Sequence, residues 1–209
     1  MKQTTTQIIA KEGWIWLGVF GFLTLFFLAL EWNFAAFLFL VLLGLSLLSY
    51  YNPERIPDET GENLLLAPVD GVVKKIEKRD DACVVTIHSP LCMVGILRMP
   101  LEGLITLNET REGLRPLRIE KSVREGIYAR GELGVQSRWG ALLMRFSPVL
   151  FEENLYLYPK PDSKITQGAR VGFFKHGHLE MVLPSSVSLK VCEGDTIKGG
   201  ETLLGSFPL

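Results

Sequence analysis

Between Gly13 and Leu30 the chain carries no charged residue, and there is none between Asn33 and Asn52. At 1.5 Å of rise per residue, an apolar run of about 18 residues just spans a hydrocarbon core of about 30 Å. Glu31-Trp32-Asn33 interrupts the two runs. A single long helix would bury Glu31 near the bilayer centre, which is costly. A two-helix transmembrane hairpin over residues 13–51, after a tail over 1–12, is therefore expected. Trp14, Trp16, Tyr50 and Tyr51 mark the ends away from the break, where amphipathic rings favour the headgroup layer. No small-residue cleavage site follows the first run, which argues against a signal peptide.

Lys2 and Lys11 precede the hairpin, Arg55, Lys74 and Lys75 follow it, and its loop has neither Lys nor Arg. The positive-inside rule then puts both ends in the cytoplasm, as a two-pass protein of the inner membrane. Cys83, Cys92 and Cys192 form no C-x-x-C pair. They suit a reducing compartment and are expected to be small core residues. A formal net charge of −1 gives no sign of nucleic-acid binding.

Residues 52–209 are long enough for an independent core. Short β-rich segments punctuated by Gly and Pro fill this region, without a long amphipathic helix. Strands are expected at Leu64–Leu66, Val72–Ile76, Ala82–Ile87, Val94–Leu97, Leu104–Leu107, Ile127–Ala129 and Ala141–Phe146. More are expected at Leu155–Tyr158, Val171–Phe174, Leu179–Leu183, Val187–Val191 and Thr202–Leu204. Pro68-Val69-Asp70-Gly71-Val72 is echoed by Pro100-Leu101-Glu102-Gly103-Leu104, and the segment from Ile165 to Gly172 by that from Ile197 to Gly205. Each acidic-Gly pair reads as a tight strand-turn-strand corner, since glycine tolerates positive φ. The expected fold is an all-β hybrid barrel or sandwich built from two related half-barrels, of the kind seen in biotinyl and lipoyl domains. A carrier role is disfavoured, because Lys74 and Lys75 lie past the turn, inside a strand.

Asn52-Pro53-Glu54-Arg55, Pro57 and Ala67-Pro68-Val69-Asp70-Gly71-Val72-Val73 follow the apolar segment. Ser89-Pro90, Arg98-Met99-Pro100, Gln167–Lys175 and Val191–Gly205 continue the pattern. In this order they resemble the short, membrane-anchored phosphatidylserine decarboxylases. The resemblance implies removal of the serine headgroup carboxylate to give phosphatidylethanolamine, through a self-made pyruvoyl group. A serine hydroxyl attacks the preceding glycine carbonyl, and the resulting ester eliminates across Cβ. That elimination needs an oxygen on Cβ.

Where the family has its Gly-Ser, this chain reads Lys175-His176-Gly177-His178-Leu179-Glu180. Either His178 or a one-residue deletion falls at the serine, and histidine carries no such oxygen. The family's Asp and His after Ser-Pro should fall near Cys92-Met93-Val94-Gly95, which contains neither. The family positions that remain are Asp70, either an acidic catalytic helper or a plain turn former before Gly71, together with Gly177 and His178. Leu204-Gly205-Ser206 imitates a processing sequence but would release only four residues. No pyruvoyl cofactor is expected, and Arg98, Lys175 and His176 are candidate phospholipid contacts in the old site. Besides membrane phospholipid, an enzyme of phospholipid synthesis is a candidate partner.

A zinc reading is the alternative. His176-Gly177-His178 on a strand would put both imidazoles on one face, and His88 on an earlier strand adds a third nitrogen. The order of motifs also resembles LytM-type zinc endopeptidases, but their H-x-x-x-D pair is missing, since no histidine precedes His88. Ordinary strand histidines are the plainer reading. Arg111, Arg115, Arg118, Lys121, Arg124 and Arg130 give one segment a basic bias, diluted by glutamates, that suits either a solvated loop or a membrane surface.

Overall fold

The structure, a computed structural model of the chain, describes residues 8–57, 59, 61–79, 81–111, 130–149 and 155–208. The strand expected at 127–129 and most of the basic segment, residues 112–129, lie outside these. The chain divides into two compact units, Met1–Glu54 and Arg55–Leu209.

In the first unit a short 3-10 turn, Lys11–Gly13, leads into α1 (Trp14–Ala29), and α2 follows as Asn33–Ser49. The apolar runs make helices because nothing in them competes for backbone hydrogen bonds; even Thr24 returns its hydroxyl to the Phe20 carbonyl (2.7 Å). The polar break becomes the turn, with Glu31 in the left-handed region at φ 60°. The outer ends of the helices meet, for Ala10 N donates to Tyr50 O (2.9 Å) and Asn52 N to Ile8 O (2.8 Å). Side chains such as Ile15, Phe34 and Leu48 point outward, 74–83% exposed. Lys11–Ala29 is long and apolar enough to cross a membrane, whereas Asn33–Ser49 is a shorter apolar helix of 17 residues.

The second unit holds fourteen strands among the described residues. They are β1 (Leu64–Leu66), β2 (Gly71–Lys78), β3 (Ala82–Ser89), β4 (Ile96–Arg98), β5 (Gly103–Arg111), β6 (Arg130–Ser137) and β7 (Gly140–Pro148). After these come β8 (Leu155–Leu157), β9 (Lys164–Ile165), β10 (Arg170–Phe174), β11 (Gly177–Pro184), β12 (Ser188–Leu189), β13 (Thr196–Ile197) and β14 (Leu203–Ser206). The main sheet runs β13-β2-β3-β11-β7-β6-β5-β9, and two three-stranded sheets run β1-β14-β12 and β4-β10-β8. Every pairing between these strands is antiparallel.

The expected barrel does not close. Among the described residues the main sheet ends in two-residue strands, β13 and β9, that pair on one side only. So short an edge offers too few hydrogen bonds to recruit another strand. Instead the inner faces share one core, in which Leu97, Val171, Phe174 and Leu204 of the small sheets join Ile87, Ile105, Met144 and Leu179 of the large one. Each fully buried side chain of this size contributes roughly 1.5–3 kcal/mol.

The sequence echo has a direct counterpart in the backbone. Read from either end, the main sheet gives a two-residue strand, then β2 or β5, β3 or β6, and β11 or β7. Val73 N donates to Asp195 O (2.9 Å) as Ile105 N does to Ser163 O (3.0 Å). Gly194 N donates to Val73 O as Asp162 N does to Ile105 O (both 2.8 Å). Gly200 N donates to Ala67 O (2.7 Å) as Gly168 N does to Met99 O (2.8 Å), and both glycines sit at φ near +75° (76° and 74°). Three strands escaped the sequence reading: β9 and β13, which are two residues each, and β6, whose Gly-Glu-Leu-Gly run lacks a β-branched pattern.

Candidate functional site

Strands β3 and β11 pair so that His178 lies directly opposite His88. The alternation that buries Ile87, Ser89, Gly177 and Leu179 turns both imidazoles to the outer face, where they are half-buried. Their ring centroids are 4.8 Å apart, tilted by 37°. Partners across the sheet extend them into a row, Thr196–Val72–His88–His178–Ser147.

His176 departs from the expected H-x-H geometry. It precedes β11 and takes φ 56°, so it lies off the strand, with its ring 6.4 Å from that of His88. A non-glycine residue in this left-handed region costs about 1 kcal/mol or more. The three rings are neighbours, yet among the described residues no group of three or more His, Cys, Asp or Glu is placed to hold a metal ion. Nδ1 of His88 and Nδ1 of His176 are buried without a hydrogen-bond partner.

The electrostatics keep this row neutral near pH 7. Burial is the main cause that pushes His178 down to about 4, helped by repulsion from His88, Lys74 and His176. Burial also lowers His88, against a backbone hydrogen bond with Gly177 that favours its charged form. Lys175, 3% exposed, is pushed down to about 8 by burial, while Cys92 works in the opposite direction.

Segment Cys92–Gly95 packs against the same turn. Phe174 N donates to Gly95 O (2.7 Å), and a Cβ on Gly95 would sit 2.8 Å from the Phe173 ring and 3.2 Å from Lys175 Cβ. Gly177 is required by close approach: a Cβ there would lie 2.4 Å from the Ser147 carbonyl oxygen.

Asp70 is engaged elsewhere. Its Oδ1 accepts from Gly199 N (2.7 Å) and its Oδ2 from Arg55 (2.8 Å), whose other nitrogen donates to Glu201 (3.1 Å). Asp70 and Arg55 are nearly buried, with side chains 12% and 10% exposed. Arg55 was missed as a functional partner, although an arginine amid Asp and Glu turn residues was the available signal. Arg98, a candidate lipid contact, donates to Gly168 O (3.3 Å) and lays its stem against Gly200. Of the cysteines only Cys83 is buried; Cys92 and Cys192 are exposed, contrary to a shared core role, because both fall in turns rather than on inward strand positions.

The sequence model of the phosphatidylserine decarboxylase family matches residues 45–205. The chain belongs to the phosphatidylserine decarboxylase family. It is 28% identical over 217 residues to the phosphatidylserine decarboxylase proenzyme of Geotalea uraniireducens, each chain covered in full. It is also 28% identical to the proenzyme of Symbiobacterium thermophilum, again over both chains in full. The proenzyme of Desulfotalea psychrophila is 28% identical too, over 95% of this chain and 96% of its own. No solved structure matches.

Within this phosphatidylserine decarboxylase fold, the turn before β11 is the segment that the sequence resemblance sets against the family's processing position, and Cys92–Gly95 packs beside it. The residues present do not fit a pyruvoyl precursor: Gly177 is followed by His178, whose Cβ carries an imidazole and no oxygen. The look-alike Ser206 ends β14, the central strand of a small sheet, where Gly205 pairs with both Leu65 and Leu189.

Proposed function

We propose that this protein is a two-pass inner-membrane member of the phosphatidylserine decarboxylase family. It serves phosphatidylethanolamine biosynthesis by binding phospholipid or a partner enzyme, without pyruvoyl-dependent catalysis. The carrying observation is His178 directly after Gly177 on β11, packed against His88. Both helices of the hairpin cross the bilayer, and the β domain faces the cytoplasm, as the outward apolar side chains and the flanking cations favour.

In this reading the old site is a lipid headgroup pocket. Neutral imidazoles serve as hydrogen-bonding groups, and a bound headgroup satisfies the buried Nδ1 atoms of His88 and His176. Lys74, exposed on β2 and near enough to depress both His88 and His178, supplies charge for a phosphate.

The test is the intact mass of the chain extracted from membranes and denatured. One species near 23.4 kDa is expected. Two fragments with a break near Gly177 would make this a decarboxylase processed by unconventional chemistry and overturn the reading.

A further inference from the structure

The histidine row has a counterpart in the other half of the main sheet. Along β13-β2-β3-β11 the row reads Thr196–Val72–His88–His178. Along β9-β5-β6-β7 the matching positions read Lys164–Leu104–Gln136–Ala141. The step along the chain from Val72 to Leu104 is the same as that from Lys164 to Thr196, and it is the step of the sequence echo. At the second row the surface opens into a cleft of about 750 Å³, lined among others by Glu62, Glu102, Gln136, Arg138, Trp139 and Lys164. The histidines do not line it.

We propose that this cleft is a second ligand site, for a small zwitterion carrying an ammonium and a phosphate or carboxylate. Its charges come as two cations and two anions, paired as Arg138 with Glu62 (2.6 Å) and Lys164 with Glu102 (2.7 Å). All four side chains are at least half exposed, from 50% for Glu102 to 82% for Glu62. Exposed pairs of this kind are worth little, so a ligand that offers each end a new partner displaces them at small cost. A simple anion would face two carboxylates, and a simple cation two basic groups; a zwitterion meets all four.

Among the lining residues, Trp139 offers an aromatic ring to the ammonium end. Trp139 stacks on Phe207 with centroids 5.5 Å apart and planes 17° from parallel, which fixes the indole. The Arg138 guanidinium now sits 4.5 Å over that ring, and the ligand's ammonium takes this cation position when Arg138 turns to the anionic end. The Gln136 side chain adds a neutral hydrogen-bonding group in the row itself. The inference stands apart from the reading of the histidine site, since the two rows share no residue.

Calorimetric titration of the full chain in detergent with O-phosphoethanolamine tests it. Saturable binding in the millimolar range or tighter is expected, weakened about tenfold in the charge-neutral double variant E102Q/K164Q. Inorganic phosphate or ethanolamine alone should bind correspondingly less well. Both substituted side chains are solvent-exposed, and a thermal melt checks that the variant folds. No saturation below about 10 mM, equal affinity for phosphate alone, or a loss in H88A instead of E102Q/K164Q would overturn the proposal. The source of the headgroup is read from Trp139 emission in a chain with Trp14, Trp16 and Trp32 changed to Phe. In phosphatidylglycerol vesicles a shift on adding O-phosphoethanolamine marks a free metabolite. A shift on replacing part of the lipid with phosphatidylethanolamine marks the membrane itself. Either shift, if it requires Glu102 and Lys164, supports the site; neither shift sinks it.

Discussion

His88 and His178 stand opposite each other across β3 and β11, with ring centroids 4.8 Å apart. Burial is the main cause that keeps both imidazoles neutral, and His88 adds to it at His178. A charge on either ring would also stand against Lys74 and His176.

Acid sensitivity follows from this pair. In the unfolded chain His178 protonates near 6.5, but in the fold only near 4. The unfolded state therefore binds more protons between these values, so the stability from neutral His178 is complete above about 6.5 and is lost as pH falls toward 4. His88 is shifted in the same direction. Thermal melts at about pH 7.5 and about pH 5 should show a drop in Tm that is smaller in H178A. An equal drop in both proteins would remove His178 as the cause.

Asp70 is predicted to act on stability through its clamp on Arg55 and Gly199. D70A leaves Arg55 nearly buried with Glu201 alone and strips the Gly199 N–H of its acceptor. The expected loss is about 2–4 kcal/mol in chemical denaturation. Glu102, at the matching place in the sequence echo, is half exposed in its pair with Lys164, and E102A should cost no more than about 0.5 kcal/mol. Equal effects would mean that the clamp on Asp70 contributes nothing special.

Gly177 should not tolerate a methyl group. The added Cβ would meet the Ser147 carbonyl oxygen at 2.4 Å, and that oxygen belongs to β7, which cannot move without breaking its pairing with β11. G177A is expected to cost about 1–3 kcal/mol, read from the midpoint of denaturant unfolding. An unchanged midpoint would show that the two strands part readily here.

Cysteine labelling reports the topology. Cys92 and Cys192 are exposed and Cys83 is buried, so a maleimide should add two groups to each folded chain. With the β domain on the cytoplasmic side, a membrane-impermeant maleimide should label only after spheroplasts are opened. Labelling of intact spheroplasts would reverse the orientation.

Much of this molecule is written in local pattern. The two long charge-free runs make helices, the form in which a segment satisfies its backbone groups within itself. Leu64–Leu66 and Val171–Phe174 lie within strands, as continuous runs of branched and aromatic residues suit a pleated surface buried on both sides. The missing oxygen on the Cβ of residue 178 is a covalent fact, and so is membership of the family once the motifs align.

Tertiary structure decided the rest. Asp70 and the Gly199 N–H that it binds are 129 residues apart, and no local pattern carries such a pairing. The H-x-H spacing promised two imidazoles on one strand face, but the chain must turn between β10 and β11, and His176 absorbs that turn at φ 56°. Among the described residues, the open edges of the main sheet depend on how many hydrogen bonds β9 and β13 can offer. Helix, strand and chemical identity are properties of neighbours along the chain; register, burial and the choice of ionic partner belong to residues that meet only after folding.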